Sequence, residues 1–145
     1  MKLYLLRHGQ AEPLAASDAE RQLTAVGEAG SKSAAESLIK RLQEADAHLC
    51  HLLHSPFVRT TQTKEQVVEV LRSSGLSVPS TPCDALLSET LPEHAAQAID
   101  VCLQSVVGEN SSTPIALLAV THQPSVSRLV SWLVDGDGSS RAAMQ

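Results

Sequence analysis

A chain of 145 residues holds about one domain, and 43% hydrophobic against 19% charged residues supplies a core without the charge density of a disordered chain. Three aromatics (Tyr4, Phe57, Trp132) leave that core to Leu, Val, Ile and Ala, and leave almost nothing for stacking on single-stranded nucleic acid. A net charge of -5 argues against nucleic acid or any other extended polyanion as partner, yet permits a small anion in a local basic pocket.

Leu3 to Leu6 is an apolar run suited to a buried strand, and it ends at once in Arg7-His8-Gly9. Thr24 is placed as the N-cap of a helix with Val26, Gly30, Ala34, Leu38 and Leu42 on one face, stopping near Ala45. Leu49 to Leu53 reads as a second strand, cut by Ser55-Pro56 because proline does not continue a ladder. The spacing then predicts a helix over Phe57 to Arg72, with Val67, Val70 and Leu71 inward and Ser73-Ser74-Gly75 closing it. Val78 to Leu87 carries at most a short strand. Pro92 opens a helix that gathers Ala95, Ala98, Ile99, Cys102, Leu103 and Val106 on its apolar face. Ile115 to Val120 is the clearest strand and runs into Thr121-His122. A last helix over about Ser125 to Val134 places Val126, Leu129, Val130 and Leu133 together.

No repeat or linker divides residues 1–134, which read as one domain followed by a short polar tail, 135–145. Alternating strands and helices imply right-handed crossovers, hence an α/β three-layer sandwich: a mainly parallel sheet with helices on both faces. Ligands of such sheets bind beyond the carboxyl ends of the strands. Three of those ends carry Arg7-His8-Gly9, His54-Ser55 with Arg59 one turn into the next helix, and Thr121-His122. If the strands are neighbours, two arginines and two histidines share one crevice. Guanidinium forks match phosphoryl oxygens, and nearby positive charge with partial burial keeps an imidazole neutral and nucleophilic. Gly9 permits close backbone approach to the anion, and the helix start near Phe57 could add amide N–H groups. No P-loop sequence is present.

Arg7-His8-Gly9, Leu23-Thr24-x-x-Gly27, Ser55-Pro56-x-x-Arg59-Thr60-x-Gln62-Thr63 and Thr121-His122, in that order, resemble the histidine phosphatase superfamily, with its phosphoglycerate mutase-like fold. Gln10-Ala11 and Asp18-x-x-Arg21-x-Leu23-Thr24 resemble the SixA-type phosphohistidine phosphatases within it. Mutase-like members carry an asparagine where Pro13 and Leu14 stand here. The resemblance implies a hydrolase acting through a covalent phosphohistidine on His8, with Arg7, Arg59 and His122 stabilising phosphoryl oxygens. It implies no cofactor and no metal, because arginines supply the positive charge. Glu89 is the candidate leaving-group acid with Glu93 as second choice, and Gly9 and Arg21 are candidate substrate contacts. The implied partner is a phosphohistidine-bearing signalling or phosphotransfer protein, with phosphate ion as product. The alternatives are a phosphatase for small phosphate esters or sugar phosphates, and a non-catalytic phosphate-binding module.

The remaining features have plainer readings. His48, His51 and His54 invite a metal site, but a strand period of two puts His51 opposite the other two. His54 is left as a residue that could border the pocket. Asp18 and Arg21 read either as an ion pair ordering their loop or as a specificity element at the rim. Cys50, Cys83 and Cys102 are odd in number and widely spaced, which fits neither a disulfide framework nor a zinc ribbon. Together with an N-terminus too short in apolar residues for a membrane span, this predicts a cytoplasmic protein with no membrane association. Superfamily members run on into at least one further strand, whereas 135–145 lacks a strand pattern. The expectation is a missing C-terminal edge strand, with the edge exposed or covered in a dimer.

Overall fold

The computed structural model describes residues 2–87, 90–106 and 114–122, together with Ser127, Leu129, Val130 and Leu133. In chain order the elements are β1 (Lys2–Arg7), α1 (Ala25–Glu44), β2 (His48–His54), α2 (Val58–Ser73), β3 (Ser80–Pro82), α3 (Pro92–Val106) and β4 (Ile115–Thr121). Short 3-10 turns stand at Asp18–Glu20 and Asp84–Leu86. The strands form one four-stranded sheet in the order β1-β4-β2-β3, and every pairing is parallel.

β4 lies inside the sheet and is apolar from Ile115 to Val120, as a strand covered on both faces must be. Ala116, Leu118 and Val120 join Leu38 and Leu42 of α1 and Val67 and Leu71 of α2 in one core. Leu117 and Ala119 join Ile99 and Leu103 of α3, Leu86 and Leu129 in the other. Leu52 and Leu117 are fully buried, and burial of that kind stabilises by about 1.5–3 kcal/mol per side chain. The two clusters make the expected three layers. Among the described residues the buried apolar core is Leu, Val, Ile and Ala alone.

Four details depart from the sequence pattern. α1 buries Gly27, Ser31 and Ala35 ahead of Leu38 and Leu42, so its inner stripe is turned by one residue and Val26 is 69% exposed. The turn is set by Gly27, where a Cβ would run into the Gln10 carbonyl. In β2 the register slips between Leu49 and His51, an extra residue at Cys50. Leu49 and Leu52 therefore share a core despite their odd spacing, and His48 and His51 fall on one face with His54 on the other. α2 leaves Val70 only partly buried but ends as expected, with Gly75 at φ 85 and Leu76 N–H donating to Leu71 O at 2.9 Å. Ser127, Leu129, Val130 and Leu133 are helical, yet Leu129 is buried and Leu133 51% exposed. Val126, Val134 and the tail 135–145 lie outside the described residues.

β1 and β3 are the edges, and among the described residues nothing pairs with the outer side of β1. No described helix is long and apolar enough to cross a membrane.

Candidate active site

The strand order decides the site. Because β4 separates β1 from β2, the three polar strand ends are adjacent, and the ladder continues one residue past β1 and past β2. His8 N–H donates to Thr121 O at 3.0 Å, and Ser55 N–H donates to Val120 O at 3.0 Å. His8, Ser55 and His122 thus leave the sheet side by side.

His8 Nδ1 lies 2.7 Å from Gly9 O, and a carbonyl only accepts, so Nδ1 carries the proton and Nε2 presents a lone pair. Arg59 Nε donates to that Nε2 at 3.3 Å. Burial first, then the charges of Arg59, Arg7 and Arg21, hold the imidazole below its usual range, while the Gly9 bond opposes them. At neutral pH His8 is an uncharged base with its lone pair facing Arg59.

The His122 ring stands 5.3 Å from that of His8, edge to face, and 5.2 Å from Phe57. Its Nε2 lies 2.7 Å from Ser55 Oγ. Phe57 N–H donates to the same oxygen at 3.5 Å, and among the described residues Nε2 is the one acceptor within reach of the hydroxyl hydrogen, an arrangement that leaves the ring proton on Nδ1. Burial, then Arg59 and His8, push His122 down to about 4, against the opposing charge of Asp18. Nδ1 is buried and has no partner among the described residues, a donor held ready for an acceptor.

Arg59 is 4% exposed and its guanidinium lies 5.0 Å from the Phe57 ring centroid. Its Nη1 donates to Asp18 O at 2.6 Å and its Nη2 to Asp18 Oδ2 at 3.1 Å. Arg21 Nη1 reaches the other carboxylate oxygen at 3.0 Å, and Arg21 Nε donates to Glu12 O at 2.6 Å. Arg7 is exposed at the end of β1, and its side chain has no partner among the described residues. One guanidinium thus contacts a neutral histidine and the charges of two more act on it, an arrangement that attracts a phosphoryl dianion and leaves the nucleophile unprotonated.

The other motif residues bind the site together. Thr60 Oγ1 donates to Ser55 O at 2.8 Å, and Thr63 Oγ1 donates to Arg59 O at 2.8 Å while accepting from Gly9 N–H at 3.1 Å. Gln62 Oε1 accepts from Leu23 N–H at 2.7 Å, and Thr24 caps α1 by accepting from Gly27 N–H at 3.0 Å. A Cβ on Gly9 would strike the Gly27 carbonyl and come within 2.9 Å of Ser31 Oγ. The glycines and threonines serve the crossing of β1, α1 and α2, so that the loop bearing His8 is fastened to the helix bearing Arg59.

His8, Gly9, Arg59 and His122 are therefore brought together, with Arg21 at the rim and Arg7 acting on His8 through its charge. Glu89 lies outside the described residues, and Glu93 stands in the first turn of α3. His54 is buried with Nδ1 donating to Ser55 O at 2.9 Å and does not join the cluster. His51 Nε2 pairs with Thr81 Oγ1 at 2.7 Å. The Phe57 amide turns to Ser55 Oγ and is not offered to an anion. Sequence reasoning missed Ser55 as the partner of His122 and Phe57 as the aromatic wall; both stand inside or beside the S-P-x-x-R-T motif, which was the available signal.

The parallel sheet with its polar strand ends defines the phosphoglycerate mutase-like fold. A phosphoglycerate mutase from Bacillus anthracis matches at TM-score 0.57 and 14% identity, over 92% of this chain and 79% of that one. The structure of the protein histidine phosphatase SixA complexed with tungstate matches at TM-score 0.73 and 27% identity, over 92% and 76%. In sequence the chain is 31% identical over 137 residues to phosphohistidine phosphatase SixA of Escherichia coli strain K12, covering 94% of this chain and 76% of the relative. It belongs to the SixA family of the histidine phosphatase superfamily. No family model matches the chain.

Proposed function

We propose that this chain is a phosphohistidine phosphatase that hydrolyses phosphohistidine on a signalling or phosphotransfer protein, through a covalent phosphohistidine on its own His8. The observation that carries this reading is the neutral His8 with its Nε2 lone pair against Arg59 and the charges of Arg7 and Arg21 acting on the ring. Kinship with SixA and the likeness to a SixA that binds tungstate, a phosphate-shaped oxyanion, support it.

In the first step His8 Nε2 attacks phosphorus, the substrate P–N bond breaks, and its electron pair leaves with the imidazole. Arg7, Arg59 and the Nδ1–H of His122 stabilise the non-bridging oxygens. In the second step water attacks phosphorus, loses a proton and displaces His8, releasing phosphate. The guanidiniums carry the charge stabilisation, so the reaction is written without a metal. Its three cysteines form no disulfide, which suits a reducing cytoplasm.

The test is incubation of the purified protein, in EDTA, with a phosphohistidine-bearing phosphotransfer protein. Phosphate release with an acid-labile phosphoenzyme is expected. Equal turnover by His8→Ala protein would overturn the mechanism, and a higher kcat/KM for small phosphate esters would overturn the substrate assignment.

A further inference from the structure

A carboxylate at the mouth of an anion pocket requires a reason. Asp18 sits there, its Oδ2 at 3.1 Å from Arg59 Nη2 and its Oδ1 at 3.0 Å from Arg21 Nη1. Arg59 also touches His8 Nε2 through its own Nε at 3.3 Å, so a single planar guanidinium separates nucleophile from carboxylate. The Asp18 side chain keeps 62% of its surface open, while Arg59 keeps 5%. Arg21 first, and then Arg59, hold the carboxyl below the usual carboxylate range, so the charge is present at neutral pH. Its backbone carbonyl already accepts from Arg59 at 2.6 Å, which fixes the loop without any need for the side-chain charge.

The leaving group supplies the reason. A phosphorylated imidazole has a second ring nitrogen. Without a proton there, the ring must depart as an imidazolate anion; with one, it departs as neutral imidazole. The reactive ring is therefore a cation, and three nearby arginines oppose its formation. A fixed negative charge at the mouth offsets part of that opposition.

We propose that Asp18 is a specificity-determining residue, whose carboxylate stabilises the protonated ring of bound phosphohistidine and so favours phosphoramidates with cationic leaving groups over phosphate esters. The inference rests on the phosphohistidine reading above. The bonds balance without a proton from Asp18: His8 Nε2 gains phosphorus, the substrate P–N bond breaks, its pair stays on the departing nitrogen, and the other nitrogen keeps its proton. The charged and titratable groups about Asp18 are Arg21 on its own segment, Arg59 of α2, and His122 after β4, on which its charge acts. Glu20 is engaged with Ser17 at 3.0 Å.

The experiment compares wild type with Asp18→Asn and Asp18→Glu on N-phosphorylimidazole across pH 6 to 9, with inhibition by inorganic phosphate measured in parallel. Asp18→Asn should lower kcat/KM about tenfold and move its alkaline limb about one unit toward acid, because the bound ring loses its proton sooner. Asp18→Glu should recover part of both. Phosphate, which has no ring, should bind Asp18→Asn no more weakly than wild type. Weakened phosphate binding with an unmoved alkaline limb would make Asp18 a mere brace for Arg59 and overturn the inference. A wild-type protein that binds phosphate but leaves N-phosphorylimidazole intact would instead overturn the phosphohistidine reading.

Discussion

The pocket has two unlike sides. From β2 into α2, Ser55, Thr60 and Thr63 are fully buried and Arg59 is 4% exposed, with each side chain tied to main chain or to a neighbouring ring. From Gln10 to Gln22 the opposite side is mostly exposed, and a few backbone bonds hold it, among them Glu12 N–H to Gln22 O at 2.7 Å and Thr24 N–H to Gln10 O at 2.9 Å. The inner side holds groups that must be oriented before substrate arrives, because a preorganised, water-poor donor is worth more to a developing charge than a mobile one. The outer side carries Asp18 and Arg21, where an incoming protein would first be read.

The largest effect that can break this contrast is on the nucleophile. His8→Ala should lower turnover by about four orders of magnitude or more with circular dichroism and Tm retained, as losing one member of a covalent machine does. Next, Arg59→Lys keeps a positive charge but loses the planar fork shared by His8 and Asp18. Steady-state kinetics should show a fall of about 10²–10³ in kcat/KM, and a small loss would show that the inner side is not preorganised. Ser55→Ala should cost about tenfold in kcat, since His122 Nε2 loses its donor and the Nδ1 proton is no longer specified. It should also cost about 1–3 kcal/mol in denaturant melts because a buried acceptor is left unpaired.

The smallest effect concerns pH. His122 is pushed from 6.5 to about 4, and His8 is lowered too. The folded state thus takes protons less readily than the unfolded one, so the stability of the neutral forms is complete above pH 6.5 and is lost as pH falls toward 4. Melting across that window should show Tm falling with acid, and His122→Gln should flatten the slope without abolishing it. An unchanged slope would remove His122 from the buried side.

Much of the framework was legible because it rests on local physics. Apolar runs ending in Arg7-His8-Gly9 and Thr121-His122 marked strands with polar ends, and Thr24 and Gly75 marked a helix start and stop. What escaped the pattern was set by contacts distant in sequence. Val26 was expected inside α1 and is exposed, because Gly27 and not its neighbour must meet the Gln10 backbone. The faces of His48, His51 and His54 could not be read from a period of two, since an extra residue at Cys50 shifts them. Ser55 looked like punctuation before a proline until β4 placed His122 beside it.

Sequence alone determined the alternation of elements, the make-up of the core and which polar residues close the strands, since these follow from hydrophobic period and from the special backbone chemistry of Gly, Pro and Thr. Only the tertiary structure decided that β4 stands between β1 and β2, and hence that His8, Arg59 and His122 meet while Asp18 bridges Arg59 and Arg21. Strand order, register and ring tautomer are consequences of long-range packing and hydrogen bonding, which no local pattern encodes.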